Sequence, residues 1–167
     1  MDEMAQRAVV VLPSTHSRVE RFRGGFDPLA SAIPAHVTLV YPTTIRFAPA
    51  REAMHRSARR PSFTYAFSGV NVVEDEYLFL LADRGADEIR DLHEELYRQL
   101  GLPLPAVFEP HVTIARTTDA ARLGTARATA LAQGLRIDGT ATELCLYRID
   151  ATGQLVLEEV VPLTPTG

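Results

Sequence analysis

The chain is predicted to fold as α+β, in two lobes related by a pseudo-twofold axis. Each lobe is expected to be a largely antiparallel sheet with helices on its outer face, and the two lobes flank a central cleft. Three observations carry this expectation. The order strand, helix, strand, helix, strand occurs twice along the sequence. The middle strand of each round bears one tetrad pattern, HVTL at 36–39 and HVTI at 111–114, 75 residues apart. Finally, 167 residues of which 46% are apolar are enough for one domain with a true core. By sequence order the lobes run about 1–73 and 74–167, allowing for strands exchanged between them. Outside the tetrads the two halves share little, so the repeat is one of order more than of letters.

In the first half, RAVVVL at 7–12 is β-rich and reads as a strand. Ser14 or Thr15 can cap a short helix through Arg23, ended by Gly24 and Gly25. A loop with Pro28 and Pro34 leads to the strand 35–41, which Pro42 is expected to stop. Residues 49–60 read as a helix, with Pro49 in the first turn and arginines in the last, and Pro61 ends it. Residues 62–73 alternate in part and read as strand.

In the second half, EYLFLLA at 76–82 is a strand. The clearest helix is 86–100, where Ile89, Leu92, Leu96 and Leu100 recur at spacings of three and four, Asp87 and Glu88 sit in the first turn and Gly101 follows the last. After a proline-rich loop come the strand 111–115 and a helix over 119–133. Residues 135–149 are strand-rich and 154–163 add a last strand.

Composition narrows the function classes. The net charge of −4 disfavours non-specific coating of duplex nucleic acid, so any RNA is expected to be met as a short piece or an end, at a local basic pocket. All 17 cationic residues are arginine, which carries no functional weight by itself. No apolar run is long enough to span a bilayer, and the acidic N-terminus does not resemble a signal peptide. The lone cysteine, Cys145, reads as a small buried hydrophobe, consistent with a reducing cytoplasm.

The tetrads carry the chemistry. Side chains i and i+2 share a strand face, so His36 lies beside Thr38, and His111 beside Thr113. Val37, Leu39, Val112 and Ile114 point the other way, into core. Two histidines can supply a neutral base and a protonated acid near neutral pH. Two threonine hydroxyls can donate to non-bridging phosphate oxygens. Set across a cleft, these groups suit in-line displacement at a phosphodiester with no metal required, a ribose 2′,3′-cyclic phosphate being the natural substrate. A single His-x-Thr would ordinarily be structural, since threonine favours strands. Two copies at matching places in a repeated plan, each with a proline within the two preceding residues, point to function. Base and acid are not distinguished by sequence. The assignment adopted is His111 as base and His36 as acid.

With its lead-in loop, FDPLASAIPAHVTLVYP resembles the first motif of the 2H phosphoesterase superfamily, which includes 2′-5′ RNA ligase-like and cyclic phosphodiesterase proteins; FEPHVTIAR resembles the second. The resemblance implies a bilobal α+β fold and metal-independent handling of 2′,3′-cyclic or 2′-5′ phosphodiesters. It marks His36, Thr38, His111 and Thr113 as catalytic. It implies no cofactor, and a nucleotide or RNA end as partner. Related proteins often carry an arginine at the place of Arg116.

Further substrate-binding candidates are Arg116, Tyr41, Tyr77 and Phe79. Arg116 and Tyr41 each lie five residues after a motif histidine, an odd offset that needs a strand end or a bulge to bring them onto the histidine face. Tyr77 and Phe79 share one strand face and could wall a nucleobase, or be plain core, and Phe108 is a similar case. His93 reads as an edge-of-core or surface residue, His55 as solvated, and His16 lies near a helix start. Arg51, Arg56, Arg59 and Arg60 read as a solvated helix face. Competing classes are the reverse, ligase reaction and a non-catalytic nucleotide-binding module. A metal site built on His36 and His111 lacks the third ligand such sites need. A monomer is the default expectation.

Overall fold

The β-branched runs of the sequence pair into two four-stranded antiparallel sheets. The computed structural model describes residues 4–165; residues 1–3, the acidic start weighed above against a signal peptide, and 166–167 lie outside the described residues. The elements are β1 (Gln6–Pro13), α1 (Ser17–Phe26), β2 (His36–Ile45), α2 (Phe47–Ser57), β3 (Phe63–Val73), β4 (Tyr77–Arg84), α3 (Ala86–Leu100), β5 (His111–Arg116), α4 (Ala120–Gln133), β6 (Ile137–Ala141), β7 (Glu143–Ile149) and β8 (Leu155–Pro162).

One sheet has the order β2-β1-β7-β8 and the other β5-β4-β3-β6. The strands that begin with His36 and His111 are therefore equivalent edge strands, each beside the strand that precedes it through a helix. Sheet membership does not follow a cut at residue 73. β3, from the first half, joins the second sheet, while β7 and β8 return to the first. The helices cross over as well. α1 packs on β5 of the other sheet, and α3 packs on β2.

Three elements depart from the sequence expectation. The first helix is capped by His16, whose Nδ1 accepts from the Arg18 N–H, not by Ser14 or Thr15, and it runs through both glycines to Phe26. Ser14 is instead buried, its hydroxyl donating to the Leu12 carbonyl. β2 continues through Pro42 to Ile45. An edge strand tolerates this, because the missing N–H is not needed for a ladder bond. The arginines of 49–60 are in part tied down: Arg51 pairs with Glu159 at 3.1 Å, Arg56 donates to Gln99, and Arg60 pairs with Glu95. These bonds join α2 to α3 and β8.

The core lies between sheets and helices. Val37 and Leu39 of β2, Leu78 and Leu80 of β4, Ile89, Leu92 and Leu96 of α3, and Val112 and Ile114 of β5 belong to one buried cluster. A smaller cluster of Val9, Val11, Ile33 and Cys145 covers the opposite face of the first sheet, the face that carries His36 and Thr38. Cys145 is buried there as expected, and burial pushes its thiol up to about 11. Among the described residues, no helix is long and apolar enough to cross a membrane.

Candidate active site

Each motif histidine starts its strand and is held in the same way. The His36 Nδ1–H donates to the Pro34 carbonyl at 2.8 Å, and the His111 Nδ1–H donates to the Glu109 carbonyl at 2.7 Å. A carbonyl can only accept, so each neutral ring carries its proton on Nδ1 and its lone pair on Nε2. The backbone just before each histidine is pinned in parallel: the Ser14 N–H donates to the Ala35 carbonyl at 2.9 Å, and the Ala82 N–H to the Pro110 carbonyl at 3.0 Å. Thr38 and Thr113 lie half-buried two residues on, beside their histidines. β2 and β5 are in contact, and His36 and His111 are near enough for the charge on one to disfavour charge on the other.

Bulges bring the odd-offset residues to the same face. In β2, Val11 pairs with Thr38 but Val10 pairs with Val40, so one extra residue enters at Leu39 and Tyr41 turns to the His36 side. In β5, Phe79 pairs with Thr113 but Leu78 pairs with Ala115, and Arg116 then pairs with Tyr77 on the His111 side. Tyr41 lines a cavity of ≈ 240 Å³ with His36 and Thr38, walled by Val9, Ile33 and Leu155. The Arg116 guanidinium lies 5.3 Å over the Tyr77 ring and pairs with Glu76 at 2.9 Å. Phe79 stacks on His111 with ring centroids 3.7 Å apart, and Tyr77 lies 5.8 Å from Phe79. The strand candidates Tyr41, Tyr77, Phe79 and Arg116 thus lie on one or other of the two histidine faces.

Sequence reading missed the groups that hold those faces in place. Arg23 is 1% exposed, although arginine is seldom buried. Its Nε donates to Asp27 at 2.9 Å and one terminal nitrogen to the Ile33 carbonyl at 3.0 Å, and it pairs with Glu20 at 3.1 Å. Glu20 accepts the Ala35 N–H at 2.6 Å, and Asp27 the Leu29 N–H at 3.0 Å. The loop into His36 is therefore held at residues 29, 33 and 35 by one charged cluster. Charges at spacings of three and four were visible in 20–27, but nothing local showed what they grip.

His93 and Tyr97 were missed as well. His93 is 1% exposed, which corrects its reading as an edge or surface residue. Its Nδ1–H donates to the Leu39 carbonyl at 2.7 Å, and the Tyr97 hydroxyl accepts the Tyr41 N–H at 3.1 Å. One turn apart on α3, they satisfy backbone groups of the β2 bulge. His93 also stacks on Phe108 at 3.7 Å, and Phe108 meets Tyr41 edge-on at 6.5 Å.

Electrostatics favour the neutral form of both motif histidines. Burial lowers the affinity of His36 for a proton, partly offset by its bond to Pro34, and the Arg23 charge lowers it further. Burial also lowers that of His111, while the Glu109 carboxylate opposes this. Among the described residues no group of three or more histidines, cysteines or acids is placed to hold a metal ion.

A two-lobed fold with paired His-x-Thr edge strands defines a class of protein, and comparison with known proteins agrees with it. The family described as the 2′-5′ RNA ligase superfamily matches residues 11–153, and the chain belongs to it. Among solved structures, E. coli LigT complexed with NADP+ is 19% identical, with 96% of this chain and 99% of that chain covered at a TM-score of 0.66. E. coli LigT complexed with 3′-AMP is 18% identical over the same shares at 0.65. A structure described only as a phosphoesterase is 19% identical, again over 96% and 99%, at 0.62. At these identities the likeness shows the fold. Among curated proteins, none matches the chain.

Proposed function

We propose that the protein is a metal-independent phosphodiesterase that opens 2′,3′-cyclic phosphate ends, or cleaves 2′-5′ linkages, of nucleotides and RNA. The observation that carries this reading is the matched pair of rings, each tethered at Nδ1 to the carbonyl two residues earlier and left with Nε2 as its reactive nitrogen. One Nε2 takes a proton from water as the water oxygen bonds to phosphorus. The other, protonated, gives its proton to the departing ribose oxygen. The Thr38 and Thr113 hydroxyls donate to non-bridging oxygens, where charge builds. The apolar cavity beside Tyr41 suits a base or ribose, and Arg116 a phosphate. The 3′-AMP and NADP+ of the similar E. coli structures fit a nucleotide substrate.

The surroundings of the two rings support roles opposite to those adopted on sequence. Arg23 disfavours a proton on His36, with Asp27 opposing it more weakly, whereas Glu109 favours one on His111. His36 is accordingly the base and His111 the acid.

The test is chromatography of the four 2′,3′-cyclic nucleoside monophosphates and of an oligoribonucleotide with a cyclic end, incubated with the protein in EDTA. Ring opening is expected, with losses of about 10²–10⁴-fold for His36→Ala and His111→Ala. An aryl phosphodiester, whose leaving group needs no proton, separates the roles: His111→Ala then recovers most activity and His36→Ala does not. No turnover of any substrate by the wild type, or turnover surviving in both variants, overturns the reading.

A further inference from the structure

We infer that the groove between α1 and α4 carries the RNA strand leading up to the reacting phosphate, so that the preferred substrate is an oligonucleotide end and not a free cyclic mononucleotide. This rests on the phosphodiesterase reading above. Two cavities, of ≈ 350 Å³ and ≈ 380 Å³, adjoin at Gly25 and Phe26, and we read them as two stretches of one groove. Its inner end is lined by Arg116, which the β5 bulge sets on the His111 and Thr113 face, and its middle by Arg122. Its outer end is lined by Arg18 and Arg21. Four exposed arginines thus follow one path away from the histidines, on a chain whose net charge is −4.

The local acids offset that charge only in part, at Arg116, which pairs with Glu76 and feels Asp27. α4 contains no acidic residue between Ala120 and Gln133. Glu20 and Asp27, the acids of α1 and its cap, are committed to Arg23 and to the backbone of the His36 loop. Glu76 pairs with Arg116, and Asp119 is turned to the N–H groups of Ala121 and Arg122. Two of the arginines bond across between the helices: Arg18 donates to the Gln133 carbonyl at 2.7 Å, and Arg122 to the Gly25 carbonyl. Each guanidinium has five N–H donors, so such a bond anchors the side chain and leaves donors for phosphates. Arg122 also covers the carbonyl end of α1, which would otherwise repel an anion. A groove lined by arginines tracks the backbone of a single strand.

The test compares kcat/KM for a 2′,3′-cyclic mononucleotide with that for an eight-nucleotide RNA ending in the same group, in wild type, Arg21→Glu and Arg127→Glu. Arg127 is exposed on α4 but lies outside the groove and serves as the charge control. The wild type is expected to prefer the oligonucleotide, increasingly so at low salt. Arg21→Glu should lower the ratio of the two constants several-fold and flatten the slope of log KM against log salt by at least about 0.7, one single-strand phosphate contact. Arg127→Glu should change neither. No preference for the oligonucleotide, or equal effects of the two variants, overturns the groove. If the wild type turns over neither substrate, the phosphodiesterase reading fails, and fluorescence anisotropy of a 3′-phosphorylated octamer still decides the groove. Weaker binding by Arg21→Glu than by Arg127→Glu supports it, and equal binding overturns it.

Discussion

His36 and His111 are each fixed at one ring nitrogen, and their surroundings favour the uncharged ring. If one must be protonated and the other free, activity is greatest between their two pKa values. Burial lowers both from the ordinary value of about 6.5. The expected kcat/KM profile is therefore a bell with its maximum on the acid side of pH 6.5. A maximum at pH 8 would mean that other groups carry the proton transfer. Arg23 invites a second prediction at this scale. Its side chain and that of Asp27 are 1% and 3% exposed, so Arg23→Met leaves a buried carboxylate without its cation. A loss of about 3–5 kcal/mol in urea unfolding is expected. A change below 1 kcal/mol would show that the cluster does not hold the loop. The identity of the motif residues was legible in sequence because i, i+2 spacing is a local fact. The support from Arg23 was not, because Ile33 and Ala35 are reached only after the chain has turned back on itself.

At the scale of the element, α3 is the part that sequence described best and explained least. Its bounds, 86–100, were written in apolar periodicity and charged ends, and Gly101 closes it in the left-handed conformation with φ of 66°. What the periodicity hid is that His93 and Tyr97 face β2 and satisfy the backbone of its bulge. A bulge leaves no mark in a hydrophobic pattern, so Pro42 looked like a stop and Tyr41 looked misdirected. The His93 ring is buried with no partner for Nε2 among the described residues, and burial holds its pKa below the unfolded value. The sign of the linkage follows. The unfolded chain binds more protons than the folded one below about pH 6.5, so stability is full above that pH and falls as pH drops through it. His36 and His111 act in the same direction. Urea midpoints should fall between pH 7.5 and 5.5. His93→Gln should be less stable at pH 7.5, with the Leu39 carbonyl ill-served, and less sensitive to the drop. An unchanged pH slope in that variant would remove His93 from the account.

For the whole molecule, the twofold order of elements was legible, but the partner of each strand was not. β3 and β7 read alike as strands, and pairing is decided over long range. β3 joins β4 through a three-residue turn, Glu74 to Glu76, in which Glu74 and Asp75 have φ of 55° and 51°. Asn-Gly or Asp-Gly would have announced that hairpin, whereas EDE does not. The outcome is two sheets that each need both halves of the chain. β1 is central only because β7 lies on its other side, and β2 buries Val37 and Leu39 in a core that it shares with Ile89, Leu92 and Leu96 of α3. Each such side chain contributes on the order of 1.5–3 kcal/mol when buried. Losing three removes an amount comparable with a stability that is itself only about 5–15 kcal/mol. Residues 1–73 expressed alone would keep β1 and β2 as a bare pair and leave β3 with neither neighbour. This fragment is expected to show no cooperative urea transition and rapid amide exchange throughout. Mixing it with 74–167 should restore both, since each piece then recovers its missing strands. A cooperative transition in 1–73 alone would mean that the lobes follow chain order after all, and that the crossing helices are an ornament on two independent units.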